Sequence, residues 1–183
     1  MKNKTAVPTT VYEGRYLRMV ERGSWEYVER THASGMAAII IAVTPEDKVV
    51  FVEQFRVPLQ ASTIEMPAGL VGDIHAAESI ELSAIRELEE EAGWTASHAE
   101  VLMIGPTSSG MASEKVAFVR ATGLSRVGAG GGDADENITV HEIPRTQAAA
   151  WLVQKMAEGY ELDAKLWAGL WMIDHQLDGT PRG

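Results

Sequence analysis

Glu87, Glu90 and Glu91 stand at i, i+3 and i+4, a spacing that puts three carboxylates on one face of a helix. Like charges this close repel by a few tenths of a kcal/mol per pair, so on its own the run is an unfavourable, solvated face. A hard divalent cation such as Mg²⁺ or Mn²⁺ reverses that sign, because it takes carboxylate oxygens as ligands. Arg86, one step before the run, is expected to point away from the carboxylate face. From there it would hold Glu78 or a neighbouring loop.

These residues need a helix beneath them, and the chain supplies one. From Glu78 to Ala92 the apolar residues Ile80, Ala84, Ile85, Leu88 and Ala92 recur at three- and four-residue steps, and Gly93 follows as a stop. What precedes reads as strands: Arg15 to Arg22, Trp25 to Thr31 after a Gly23-Ser24 turn, Ala37 to Thr44, Lys48 to Phe55, and Thr63 to Met66. Ala37 to Thr44 is nearly all aliphatic, as befits a strand covered on both faces. After the helix, strands are expected at Glu100 to Ile104, Lys115 to Ala121 and Ile138 to Glu142. The glycine-rich stretch Val127 to Asn137 is read as a loop before the last of these. Pro144 fits the first turn of a helix running to Glu158, and a final helix covers Asp163 to Leu177. The order predicts an α/β fold.

With 183 residues, 45% hydrophobic and 23% charged, the chain suits one domain with a sizeable core. There is no cysteine, which excludes disulfides, thiolate metal sites and cysteine nucleophiles. No apolar run approaches bilayer length, and the first residues lack the apolar core of a signal peptide, so a cytoplasmic location is expected. A net charge of −10 argues against nucleic-acid or anionic-membrane partners. It also poses a puzzle for any anionic substrate, which would need local arginines, a bound cation, or both.

Gly72, Glu78, Arg86, Glu87, Leu88, Glu90, Glu91, Gly93 and Trp94 fill every fixed position of the pattern G-x5-E-x7-R-E-U-x-E-E-x-G-U, where U is a bulky apolar residue. By ordinary residue frequencies a chance match is on the order of one in ten million per starting point. The stretch resembles the box of the Nudix hydrolases. That resemblance implies a Nudix-type α/β/α sandwich with a mixed sheet, preceded here by an N-terminal antiparallel strand extension over residues 1–35, with the hydrolase domain at 36–183. It also implies that Glu87 and Glu91 ligate a divalent metal, Mg²⁺ with Mn²⁺ as the alternative. Glu90 would stand beside them as ligand or base.

Four further segments resemble the ADP-ribose pyrophosphatase branch of that family. Trp25-Glu26-Tyr27-Val28-Glu29-Arg30 is similar to a strand whose indole stacks on adenine and whose arginine meets phosphate. Gln54-Phe55-Arg56 is similar to a motif whose arginine contacts substrate. Glu65-Met66-Pro67-Ala68-Gly69-Leu70 is similar to a segment whose alanine carbonyl is a metal ligand and whose last residue lies at the substrate. Asp135-Glu136-Asn137-Ile138 is similar to a stretch whose glutamate ligates metal or serves as base. The resemblance thus implies catalytic Glu136 or Glu90, metal ligation by Ala68, Glu87, Glu91 and Glu136, and substrate contacts from Trp25, Glu26, Arg30, Arg56 and Leu70.

Two departures from the family pattern bear on the Ala68 ligand and on the substrate, in that order. Glu78 comes three residues later than usual counted from Gly69, so either Gly72 opens the box or the loop carries an insertion around Gly72 to His75; the insertion is preferred. Ser109 stands where these pyrophosphatases usually have proline. The loop Ala129 to Glu136 also resembles that of a relative acting on GDP-mannose. The expected activity is therefore hydrolysis of a nucleoside diphosphate sugar: ADP-ribose to AMP and ribose 5-phosphate first, GDP-mannose or another such sugar second. A sensor that has lost catalysis is a third reading, disfavoured by the intact carboxylate cluster. A homodimer is expected from the resemblance, with the N-terminal strands packed on the partner. No role is assigned to the five histidines.

Overall fold

The computed structural model describes residues 5–32, 35–72, 78–132 and 136–182. Its centre is a strand that is apolar on both faces. In β4 (Met36–Ala42) the side chains alternate: Ala38, Ile40 and Ala42 join one core, Ile39 and Ile41 the other. The first core lies under helix α1 (Ile80–Ala92), which contributes Ala84, Leu88 and Ala92. The second lies under α2 (Ala148–Ala157) and α3 (Lys165–Asp174), through Leu152, Leu166 and Met172. Helices on both sides of the strands give the α/β/α sandwich expected from the sequence.

Two mixed sheets fill the middle layer. One has the order β7 (Ala68–Leu70), β4, β9 (Lys115–Arg126), β8 (Trp94–Pro106), with β4 and β9 parallel. The other runs β10 (Thr139–Pro144), β5 (Lys48–Arg56), β6 (Ala61–Glu65), β11 (Glu161–Leu162), with β6 and β11 parallel. A third, antiparallel sheet of β1 (Thr9–Glu13), β2 (Leu17–Arg22) and β3 (Trp25–Arg30) precedes them. It is tied to the body through β3: the Val28 N–H donates to the Met111 carbonyl, and the Ser113 N–H to the Val28 carbonyl.

The elements differ from the sequence reading in identifiable ways. Strand β1 has no alternation of apolar and polar residues, all five being exposed, so periodicity does not reveal it. Strand β8 begins at Trp94, directly after the αL glycine that ends α1, and β9 continues to Arg126. Helix α1 starts at Ile80 rather than Glu78, because Ser79 is its N-cap and accepts from the Leu82 N–H at 3.3 Å. Pro144 closes β10 instead of opening a helix; a 3₁₀ turn at Arg145–Gln147 intervenes before α2. The three-residue β7 and two-residue β11 are too short to leave a pattern.

Candidate active site

Helix α1 presents its carboxylates unequally. Glu87 and Glu91 are 9% and 3% exposed, whereas the Glu90 side chain is 43% exposed. The two buried carboxylates meet strand β7. The Ala68 N–H donates to Glu91 Oε2 at 2.9 Å. Gly69 lies so close to Glu87 that a Cβ there would stand 1.8 Å from its carboxyl carbon. It is Gly69 that touches this face, while Gly72 takes a positive φ of 77° at the turn beyond β7. His75 and most of the segment after Gly72 lie outside the described residues.

Arg86 does not point away from the carboxylates as expected. Its guanidinium reaches Glu87 at 3.0 Å, Glu90 at 2.9 Å and Glu78 at 3.4 Å. Burial works against its charge, but Glu87, Glu78 and Glu90 outweigh that and raise its pKa. The long stem lets one cation serve both neighbours on the helix and the loop before it. Ser83 completes the arrangement by donating its hydroxyl to Glu78 at 2.7 Å.

The glycine-rich loop seats the helix from its other end. Gly93 ends α1 at φ 71°, and its N–H returns to the Glu89 carbonyl. The Gly131 N–H then donates to the Glu91 carbonyl at 2.9 Å, and the Gly132 N–H to the Glu90 carbonyl at 3.0 Å. These carbonyls belong to the last turn, where an α-helix has no internal donors. Gly130 approaches so closely that a Cβ would fall 2.5 Å from the Glu91 carbonyl oxygen. The same loop delivers Glu136, whose carboxylate folds over Gly132.

A cavity of about 420 Å³ opens over this helix face. Ala68, Leu70, Glu87, Glu90, Glu91 and Glu136 line it, together with Arg30 from the end of β3 and Arg56 from the end of β5. Eight of the ten residues singled out in the sequence therefore surround one space. Trp25 and Glu26 do not. They sit at the start of β3, about 17 and about 13 Å of strand from Arg30, and the Trp25 side chain belongs to the opposite face. Trp25 is 52% exposed.

Sequence reading missed Glu65, Glu114 and Lys165. Arg56 grips Glu65 with Nε and Nη2, both at 2.7 Å, and Thr63 donates to the same carboxylate at 2.6 Å. Burial alone would raise the Glu65 pKa, but these bonds and the Lys165 charge hold it below the ordinary value. Arg30 pairs with Glu114 at 2.5 Å, and Lys165, at the start of α3, pairs with Asp163 at 2.5 Å. Glu65 was legible as part of the E-x-P-A-G-L segment; Glu114 and Lys165 belong to no motif.

The family model described as the NUDIX domain matches residues 33–158 of this chain. The chain belongs to the Nudix family. This Nudix hydrolase is 33% identical over 160 residues to the methanol dehydrogenase activator of Bacillus methanolicus, covering 84% of this chain and 85% of that protein. It is 34% identical over 130 residues to an ADP-ribose pyrophosphatase of Bacillus subtilis (strain 168), covering 68% and 69%. An ADP-ribose pyrophosphatase of Escherichia coli (strain K12) is 32% identical over 152 residues, covering 78% and 68%. A crystal structure of an ADP compounds hydrolase superposes with a TM-score of 0.61 at 20% identity, over 84% of this chain and 92% of that one, and shares its fold. The protein is a Nudix pyrophosphohydrolase acting on a small molecule, and Nudix hydrolases generally need divalent metal ions.

The residues present suit such an ion. The described lining holds seven carboxylates (Glu65, Glu87, Glu90, Glu91, Glu114, Glu136, Asp163) against four cations (Arg30, Arg56, Arg86, Lys165). An anionic diphosphate would be repelled from it without further positive charge. Burial, then the neighbouring Glu87, Glu136 and Glu65 charges, push the Glu91 pKa up to about 8, although the Ala68 N–H opposes this. Such a carboxylate gains from a cation. Among the described residues no three acidic or imidazole groups converge closely enough to hold an ion unaided. Backbone carbonyl, water and substrate oxygens would complete the shell, as is common for Mg²⁺. No helix among the described residues is long and apolar enough to cross a membrane.

Proposed function

We propose that this Nudix hydrolase cleaves ADP-ribose to AMP and ribose 5-phosphate. The observation that carries the reading is the single cavity in which Arg30 and Arg56 border the buried Glu87 and Glu91 carboxylates. Relatives named ADP-ribose pyrophosphatase support the choice of substrate. Glu87, Glu91 and the Ala68 carbonyl would hold the metal, taken as Mg²⁺ with Mn²⁺ as the alternative. When bound it supplies charge neutralisation of the diphosphate and a lowered pKa for water.

The arginines bind and orient the diphosphate oxygens through paired N–H donors, a geometry that suits phosphate. Glu65 holds Arg56 in one rotamer, and Glu114 does the same for Arg30. Water attacks one phosphorus and its oxygen forms the new P–O bond. The bridging P–O bond breaks, and its electron pair leaves with the second phosphate. Glu136 takes the proton lost by the water, or Glu90 does so in its place. Both carboxylates line the cavity, and Glu136 is exposed at its rim.

Residues 1–35 form, in this reading, an extension that makes a homodimer. Val11, Tyr12, Tyr16, Leu17 and Trp25 are 47–68% exposed on it, more apolar surface than a lone small sheet normally shows. Trp25 and Glu26 then serve the adenine site of the partner subunit rather than their own. Light scattering coupled to size exclusion checks this, and a monomer at working concentration would refute it. We take the enzyme to be cytoplasmic.

The deciding experiment is a product assay with Mg²⁺ on ADP-ribose and GDP-mannose side by side, with Glu91→Gln as control. AMP formed by the wild type and lost in the variant supports the proposal. Turnover of GDP-mannose alone would overturn the substrate and make Ser109 the better guide to specificity. Silence on both from folded protein would overturn ADP-ribose hydrolysis altogether.

A further inference from the structure

A second cavity, of about 280 Å³, opens at the other end of α3 from the active site. Lys165 at the start of α3 lines the first cavity and Ile173 near its end lines the second. The same face of β4 serves both: Ala37 and Ile39 border the active site, Ile41 the second cavity. Three guanidiniums from distant parts of the chain line this second space: Arg120 of β9, Arg145 after β10, and Arg182 near the end. Among the described residues that line it there is no Asp or Glu. For a chain of net charge −10 three guanidiniums around one space are unusual, although Glu100, Asp47 and Asp174 pair with two of them from outside that lining.

Arg120 is the informative member. It pairs in register with Ile41 and follows Val116 and Phe118, two residues of the second core, along one face of β9. A charge in that row is costly to bury unless fully partnered, and Arg120 is 7% exposed. Nη2 donates to the Met172 carbonyl at 2.6 Å and caps α3. Nη1 is buried with no hydrogen-bond partner among the described residues; the exposed Glu100 carboxylate stands 3.6 Å from it. Capping alone would need neither the unbonded Nη1 nor two further arginines. Burial and the Arg182 charge depress the Arg120 pKa, so the positive charge is under-compensated.

The other two guanidiniums remain available to a ligand. Arg145 meets Asp47 at 2.9 Å and Asp174 at 3.0 Å, but both carboxylates are more than half exposed, and such pairs exchange readily with water. Arg182 has a 3.3 Å bond to the Gln176 side chain. We propose that Arg120, Arg145 and Arg182 form a second oxyanion site, which takes a phosphate group either free or carried by a small metabolite. Guanidinium N–H pairs match phosphate oxygens, and the aliphatic Ile41, Val43 and Ile173 border the same space. The volume equals that of roughly nine waters, enough to take a phosphomonoester of a small polyol.

The test is a ¹H–¹⁵N NMR titration of the full chain in chelator, with inorganic phosphate in one arm and glycerol 3-phosphate in the other. Saturable shifts are expected at the Arg120, Thr122, Gly123 and Ile173 amides. They should persist in Arg56→Gln, which disables phosphate binding at the active site. They should weaken by roughly fivefold or more in Arg182→Gln, a change in a half-buried side chain near the chain end that belongs to neither hydrophobic core. Arg120→Met, which keeps the stem and removes the charge, should abolish them. Tighter binding of glycerol 3-phosphate assigns the site to a metabolite; tighter inorganic phosphate assigns it to the free anion. Either supports the proposal. Absence of shifts at these amides up to tens of millimolar, or shifts unchanged in Arg182→Gln, would overturn it.

Discussion

Replacing Glu91 by glutamine should stabilise the metal-free protein at alkaline pH while destroying its activity. Glutamine keeps the shape and an oxygen that can still accept the Ala68 N–H, and it removes the charge. In the folded protein the Glu91 pKa stands at about 8, against an ordinary value of 4.5, chiefly through burial. The folded state therefore keeps a proton that the unfolded chain has already released. The stability tied to that proton is complete below about pH 4.5 and drains away as pH rises to about 8. The slope is at most about 1.4 kcal/mol per pH unit, which gives a loss of about 3 kcal/mol by neutrality and a ceiling near 5 kcal/mol. Urea unfolding of wild type and Glu91→Gln in chelator, at pH 5 and pH 8, reads out this group together with its coupling to Glu87, Glu136 and Glu65, because the distant carboxylates cancel between the two proteins. The wild type should lose several kcal/mol relative to the variant across that interval. Adding Mg²⁺ or Mn²⁺ at pH 8 should restore the wild type and leave the variant nearly unmoved, since the cation then takes the place of the proton. Parallel stability curves, or a variant less stable than wild type at pH 8 in chelator, would refute the reasoning.

Other substitutions probe the same site from its supports. Gly69→Ala places a methyl 1.8 Å from the Glu87 carboxyl carbon, so Glu87 must leave its position. We expect kcat/KM to fall by about two orders of magnitude and Mn²⁺ binding to weaken in calorimetry, with little change in Tm. Arg56→Lys keeps the charge but loses the two-pronged grip on Glu65; KM should rise roughly tenfold with a smaller change in kcat, and stability should drop by about 1–2 kcal/mol. Gly130→Ala forces a side chain onto a φ of 74° and against the Glu91 carbonyl; denaturant titration should show a loss of about 1–3 kcal/mol, together with lower kcat from the displaced helix end.

What could be read from the sequence is what local spacing encodes. The carboxylate helix was legible because i, i+3, i+4 periodicity and a terminal glycine act within a few residues of one another. β4 was legible because a strand covered on both faces must be aliphatic throughout. Arg86 shows where that reasoning ends. The rule that residues i and i+1 do not face each other holds for Cβ directions, and it sent Arg86 away from Glu87. A guanidinium on a three-carbon stem swings back across the surface, so the ion pair forms despite the rule.

The glycine-rich loop shows a different limit. Read as composition, Val127 to Asn137 is a flexible connector, since glycine permits every conformation and favours none. Its function depends on what lies beside it. The end of α1 offers carbonyls without donors, and a backbone can reach them only if no side chain intervenes. The glycines are therefore a consequence of the helix, some forty residues earlier, whose carboxylates they help to aim. The same holds for the arginine clasps: Glu65 and Glu114 have meaning only beside Arg56 and Arg30, which reach them from other strands. A motif records residues that must recur together along the chain. It leaves unrecorded the partners that fix those residues in space, and in this protein those partners decide which carboxylates are buried, which are paired, and which face the cavity where a cation would bind.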